Sequence, residues 1–434
     1  MLILRKLALC VAMGSFGCGS VLAAPYAFNA RQDAMGGAGV SSANYLSAPF
    51  YNPALLALSE ESDQVGLLLP VIGAELFDKD DLRNQVDDFS NTYDEFTAAY
   101  DAYGANQSQA NKARLESANA QATSELQQLS GATGYARAGA GAAVALPFNL
   151  LSGALFLNGY ADAQAFTDVS MDDFTSYDYK GVTLTVPRSE EAMNSQVIGM
   201  AAAVSDLGFS LAKSFQDGDM TWAVGVTPKL QTLKVYNYVA TASDSDLGDM
   251  TDSQYENKKS TFNLDAGVAA NWNNGWSSGL AIKNLIKQEL DAPKIGLVQS
   301  SYQLSPIPTA SVSYRLAGVL LTGDVDLLAQ KRFTSLTGTH ATYHADQDDL
   351  QLAALGLEWN LLGWLQLRGG YRHDLQSNLD DALTAGVGLS PFEMFHLDLA
   401  GIYAGSNEFG GVLQSGFTFL ARFNARLLSP AGLV

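Results

Sequence analysis

The chain has 434 residues, of which 47% are hydrophobic and only 16% charged, against about 25% charged in ordinary soluble domains. Beyond the extreme N-terminus it holds no stretch of about 20 apolar residues, which excludes a helical membrane protein. Its 45 acidic and 25 basic residues leave a net charge of −20, which argues against nucleic-acid binding through a basic surface.

The first element in chain order is a leader. Arg5 and Lys6 precede an apolar run from Leu7 to Phe16, and Val21-Leu22-Ala23 offers small residues for cleavage before Ala24. This predicts a Sec signal peptide over 1–23. A lipoprotein leader lipidated at Cys18 is the alternative, and Ser15-Phe16-Gly17 matches it poorly. Cys10 and Cys18 are the only cysteines, so a mature chain has no disulfide, catalytic thiol or Cys-ligated zinc. Removing Arg5 and Lys6 from the 25 basic residues leaves 23 against 45 acidic ones, a charge of −22.

Residues 24–62 come next, centred on ARQDAMGGAGVSSANYLSAPFYNPALLA at 30–57. The stretch is too rich in glycine for a strand and too poor in charge for a solvated tail. Small residues thread a confined space, and Asn52-Pro53 fixes a turn. It reads as a plug, with 63–425 as the body and 426–434 as a tail.

The body is a succession of period-2 patterns. In 260–276 (STFNLDAGVAANWNNGW), Phe262, Leu264, Val268 and Trp272 alternate with Asn263, Asp265, Gly267 and Asn271. The same alternation predicts strands near 65–76, 135–147, 153–166, 196–215, 220–236, 260–273, 276–287, 307–316, 318–330, 350–360, 364–374, 382–390, 394–404 and 412–425. Most are longer than the usual 5–6 residues and suit a strand tilted across a bilayer, which needs about 9–11. Long and short connections alternate, and the short ones carry hairpin chemistry, as at Asn274-Gly275 and Asp217-Gly218. Short turns at one end, long loops at the other and an even strand count predict an all-β, closed transmembrane antiparallel barrel of about 14 strands. A soluble barrel or sandwich is the alternative. The dry face then meets lipid, and Trp222, Trp272, Trp276, Trp359, Trp364, Tyr371 and Tyr403 fit interfacial girdles. Fourteen strands enclose a lumen too wide to fill with strand side chains, hence the plug.

One segment breaks the pattern. Leu82, Val86, Phe89, Tyr93, Phe96, Tyr100 and Tyr103 form a helical stripe, and 107–130 forms a second. A helical hairpin is expected in the first extracellular loop, within 79–130. It would serve as a lid or docking surface, or simply pack on itself and shield the barrel.

MGGAGV followed by SAPFYNPALLA resembles the N-terminal hatch of the FadL family of outer-membrane transporters for hydrophobic compounds. RQDAMGGAGV, LRGGYRHDL at 367–375 and LTAGVGLSPF at 383–392 are similar to the relatives described as conjugal-transfer TraF-like outer-membrane proteins. The thioredoxin-fold protein that shares the name TraF does not fit a cysteine-free mature chain. The resemblance implies a fourteen-strand barrel, an N-terminal hatch and outer-membrane location. It places Asn52, Pro53 and Ala54 on the hatch motif, with a role in plugging and gating. It implies no ligand residues. The chain departs from the common barrel pattern by ending on Asn424–Val434 rather than an aromatic residue, Phe423 being nearest.

Inward positions carry Lys229, Asp265, Arg315, Asp324, Asp326, Glu358, Arg368, Arg372, Asp398 and Arg422. They are expected to pair with one another and with the hatch; the alternative is a ligand carboxylate held by Arg368, Arg372 or Arg422. His340 and His344 share a loop with Asp346, Asp348 and Asp349, and Asp244, Asp246, Asp249 and Asp252 form an acidic loop matching no EF-hand. No metal site is assigned: the histidine loop reads as solvated, with adventitious metal binding the alternative, and calcium binding or divalent bridging to lipopolysaccharide is the alternative for the acidic loop. His396 and Asp398 are the one hint of an acid–base pair, and nothing supplies a nucleophile. No catalytic residue and no cofactor is assigned. The expected partners are outer-membrane lipid or lipopolysaccharide, a small hydrophobic ligand, and envelope proteins. Two functions follow: a passive FadL-like channel for small hydrophobic molecules, or a plugged barrel serving conjugal transfer or surface assembly.

Overall fold

A strand whose alternate residues are apolar must find a dry surface for one face and hydrogen-bond partners along both edges; inside a bilayer only a closed ring meets both demands. The computed structural model, which describes residues 28–59, 65–78, 80–148, 151–187, 194–241, 253–391, 395–404 and 408–418, contains that ring. Its strands are β1 Gly66–Phe77, β2 Thr133–Leu146, β3 Ser152–Asp168, β4 Gln196–Asp217, β5 Met220–Thr241, β6 Glu256–Trp272 and β7 Trp276–Lys283. They continue as β8 Ile307–Leu316, β9 Val319–Asp326, β10 Leu352–Asn360, β11 Leu365–Asp374, β12 Ala382–Leu389, β13 Phe395–Ala404 and β14 Glu408–Thr418. Each pairs antiparallel with its neighbours in sequence, and β14 pairs with β1 to close the barrel. The expected leader, the C-terminal tail with Phe423, Arg422 and the acidic loop at 244–252 lie outside the described residues.

The two faces sort as the alternation demands. Phe262, Val268 and Trp272 of β6 are exposed, whereas Asn263 and Asp265 are buried in the lumen. Leu155, Leu207, Phe209, Leu230, Leu355 and Leu383 continue the exposed belt around the barrel. All five tryptophans flank short turns, the end that faces the periplasm in outer-membrane barrels.

The wall is uneven. Strands β4 and β5 run 22 residues each and β3 and β6 run 17. Strands β7 to β13 run 8–10. Since about 9–11 residues cross a bilayer, the β3–β6 arc stands clear of the membrane. On the inward face of that raised arc the polarity reverses. In β4 the inward Asp206 gives way above to Val204, Ala202, Met200 and Ile198; in β5, Lys229 and Gln231 give way to Leu233 and Val235.

Against this apolar shelf leans a three-stranded sheet of Gln288–Asp291, Gln299–Leu304 and Phe333–Thr337, drawn from the β7–β8 and β9–β10 connections. Tyr302, Leu304, Phe333 and Leu336 complete one buried cluster with the shelf. The sequence reading leaves these segments as loops, because strands of 4–6 residues show no clear alternation. It also carries β7 to residue 287. The strand ends at Lys283 because Asn284 adopts φ 53° and gives its N–H to Asp265 Oδ1 at 2.7 Å. The side chain of Asn263 takes over the ladder there, bonding both N and O of Ile286.

The first long connection folds as helices Leu82–Ala105 and Gln109–Gln128. Leu82, Phe89, Phe96 and Tyr103 pack on Leu115 and Leu126, and Val182 and Leu184 of a two-stranded ribbon close the module.

Candidate functional site

Residues 28–58 fill the lower lumen. Two short helices, Ala30–Asp33 and Ala48–Tyr51, and a 3-10 turn, Pro53–Leu58, carry too few internal hydrogen bonds to stand alone. The wall supplies the rest. Asn52, wholly buried, caps the 3-10 turn by accepting from Ala54 N at 3.1 Å. Its Nδ2 donates to Val40 O at 2.9 Å and to Val268 O of β6 at 3.0 Å. One side chain thus ties two hatch segments to the barrel.

The close approach depends on strand glycines. A Cβ on Gly267 would sit 2.0 Å from Asn52 Oδ1, and one on Gly225 would sit 2.4 Å from Ala54 N. These two glycines are cross-strand partners on β5 and β6, so they form one seat for the Asn-Pro-Ala turn. A second pair, Gly356 and Gly370 on β10 and β11, seats Met35 and Gly36 the same way. Sequence reasoning missed these seats; the available signal was a glycine at an inward position of each of two neighbouring strands.

Phe28, Tyr45, Phe50 and Leu56 pack into an apolar cluster with the wall, and polar locks add to it. Arg31 makes a two-pronged ion pair with Glu358, at 2.7 and 2.9 Å, and gives Nη1 to Ser42 O. Arg368 joins from β11, reaching Glu358 at 2.8 Å and Asp398 at 2.5 Å. Asp324 accepts the N–H groups of Gly39 and Val40 at 2.8 and 2.9 Å. Thr384 accepts from Gly36 N and donates to Ala34 O. Lys229 sits between Asp206 and Asp265 at 3.2 and 3.0 Å. Asp326 accepts from Thr309 and Leu352 N. Arg372 reaches Glu75 at 3.2 Å. The inward charges named from sequence therefore fall into five separate groups of contacts, except Arg315, which is exposed at the short-turn end, and Arg422, which lies outside the described residues. His396 bonds Ser390, while Asp398 is engaged by Arg368, so the two do not form a dyad. His340 and the backbone N–H groups of His340 and Ala341 bind Asp168, which anchors the loop.

Between the hatch and the barrel wall lies a chamber of about 60 Å³, room for a few waters. Asp33, Glu75, Asp324 and Asp326 line it, with Arg137, Lys283 and Arg372. Asp33 belongs to the hatch; burial and the nearby Glu75 push its carboxyl up to about 7. Higher still, Tyr302 donates to Asp162 at 2.6 Å, and burial followed by that carboxylate holds its phenol protonated. Arg332 of the cap touches Asp162 and Asp348; burial pushes Asp348 up to about 7, against the pull of Arg332. Sequence reasoning singled out none of Arg31, Glu75, Arg137, Asp162 or Arg332.

The model for the family described as "F plasmid transfer operon, TraF, protein" matches residues 49–326. No curated protein matches the chain. Among solved structures, the Ralstonia pickettii toluene transporter TbuX aligns at a TM-score of 0.51 and 12% identity, over 91% of this chain and 99% of that one. The TodX deltaS2S3 mutant monoaromatic hydrocarbon channel gives 0.50 and 12%, over 91% and 99%. A Pseudomonas aeruginosa FadL homologue gives 0.47 and 10%, over 92% and 100%. At such identities the likeness is one of fold, that of the TbuX and TodX barrels. With the family match running from the hatch motif to the end of β9, the chain belongs to the F plasmid transfer operon TraF protein family and carries it on this barrel.

Proposed function

We propose that this protein is a passive outer-membrane channel for small hydrophobic molecules, gated by its N-terminal hatch. The observation that carries the reading is the polarity reversal inside the raised wall. An aqueous pore keeps its lumen polar, whereas here Ile198, Met200, Val204, Leu233 and Val235 turn apolar side chains inward at the outer mouth. A hydrophobic solute entering from outside meets this shelf once the cap sheet swings away. The hatch below is held by an apolar cluster with the wall and by ion pairs and hydrogen bonds over glycine seats; water can replace the polar contacts when it shifts. No energy source is required. Two barrels of the same fold, one named a toluene transporter and one a monoaromatic hydrocarbon channel, support the same solute class.

The test is uptake of labelled toluene and growth on hydrophobic carbon sources by a deletion strain and its complemented parent. Slower uptake, restored by the gene, is expected; unchanged uptake and growth on every compound would overturn the reading. A second reading, a plugged barrel with envelope partners in conjugal transfer, draws support from the family description and from the self-cored helical module on the outer face. Unchanged plasmid transfer in the same deletion strain would remove it.

A further inference from the structure

We infer that the outer cap and the hatch are coupled through a ladder of alternating buried charges, so that displacing the cap loosens the hatch. The inference rests on the gate reading above.

The ladder begins in the cap. Arg332 Nη1 lies 3.8 Å from Asp162 Oδ1 on β3, and Tyr302 donates to the other oxygen of that carboxylate. Asp162 Oδ1 is 3.4 Å from Arg137 Nε on β2. Arg137 Nη1 is 3.6 Å from Glu75 Oε2 on β1. Glu75 Oε1 takes Arg372 Nη1 at 3.2 Å from β11, across the lumen. Glu75, Arg137 and Arg372 line the chamber with Asp33 of the hatch. Glu75, Arg137 and Asp162 are direct cross-strand partners on three successive strands, so the wall holds them in a fixed row. All three are at least 95% buried.

Two features let this row transmit rather than merely brace. First, its inner gaps are ionic contacts longer than hydrogen bonds. Arg137 Nε, Asp162 Oδ1 and Glu75 Oε2 have no hydrogen-bond partner, so Arg137 can move toward either carboxylate without breaking one. Second, charges this far from water are weakly screened, so each depends on its neighbours. With Arg332 in place, Asp162 is shared and Arg137 spares attraction for Glu75. With Arg332 withdrawn, Arg137 is the one cation left beside Asp162 among the described contacts. The guanidinium shifts toward it, and Glu75 is left to Arg372 and to the Asp33 carboxyl of the hatch. Glu75 then turns a less compensated negative charge toward the hatch across the chamber, and the hatch is the movable side. By reciprocity, an undocked hatch weakens the hold on the cap.

A single thiol reads the coupling. In a chain with Cys10→Ala and Cys18→Ala, Ser47→Cys places one cysteine at a buried hatch position whose hydroxyl bonds only within the hatch. Arg332→Met should raise its labelling by a membrane-permeant maleimide about tenfold. Adding Asp162→Asn, which removes the uncompensated charge, should return the rate to within about twofold of the parent; a packing defect would not be rescued this way. A parental rate in Arg332→Met, or a double variant that labels as fast as the single one, would overturn the inference. Should Arg332→Met fail to assemble as a heat-modifiable barrel, Tyr302→Phe replaces it, again read with and without Asp162→Asn and judged by the same two results. Because thiol exposure is measured and not uptake, a barrel that transports nothing can still show the coupling, and a transporter can lack it.

Discussion

The lower and upper halves of one lumen are closed in different ways. Below, the hatch packs Phe28, Tyr45, Phe50 and Leu56 into an apolar cluster with the wall, and Asn52, Arg31 and Asp324 add a directional, polar hold over the glycine seats. Above, the cap sheet is fastened chiefly by Tyr302, Leu304, Phe333 and Leu336 against an apolar shelf, so its hold is non-directional. The difference teaches where each closure yields. A polar fastening fails when one partner is removed and a buried group is stranded. An apolar one fails when something equally oily takes its place, which is what a hydrophobic solute can do.

The largest effect is expected at Asn52. Asn52→Leu strands the carbonyls of Val40 and Val268 and the N–H of Ala54, at about 1–3 kcal/mol each. Hydrogen exchange should show hatch amides losing protection while cap amides keep most of theirs. Phe333→Ala attacks the other half and should cost the cap about 3–5 kcal/mol. Here amides of 299–304 should lose protection first, with the hatch responding less. Equal loss in both halves for both variants would mean that the two closures are one cooperative unit.

A gentler probe is pH. The raised Asp33 carboxyl favours the protonated, docked hatch, so docking should tighten as pH falls through about 7 and gain nothing further well below 4. Above 7 that contribution is lost. A spin label on Asn44→Cys should become less mobile on acidification, and Asp33→Asn should hold it at the acid value throughout. A label whose mobility ignores pH in the parent chain would refute the assignment. The smallest effect is expected outside the lumen. Arg114 and Glu95 pair at 2.7 Å but are both about half exposed. Glu95→Gln should leave the melting temperature of the helical module unchanged; a fall of several degrees would contradict this.

Much of the barrel was legible because lipid enforces a simple code. The 307–316 strand falls on its expected bounds, and Phe262, Val268 and Trp272 of β6, Leu316 of β8 and Leu355, Leu357 and Trp359 of β10 are exposed as alternation requires. The code covers only strands in contact with lipid. The cap sheet lies inside the raised wall, where β4 and β5 reverse their polarity, so no periodicity announces it. The helical stripe from Leu82 to Tyr103 was readable since its partner helix is adjacent in sequence. The ion pairs were not, because Arg31 meets Glu358 from 327 residues away. Arg137 sits among alanines and glycines, in a stretch whose message was tight packing rather than charge.

The placement of the tryptophans fixes more than depth. Five indoles hold one rim at the level of phospholipid head groups, so the barrel cannot sink to hide its surplus height. Every extra residue of β3 to β6 must emerge on the opposite, cell-exterior side. The oily ledge that steadies the cap is thereby lifted clear of the bilayer, so the apolar surface at that height is covered by protein and not by lipid.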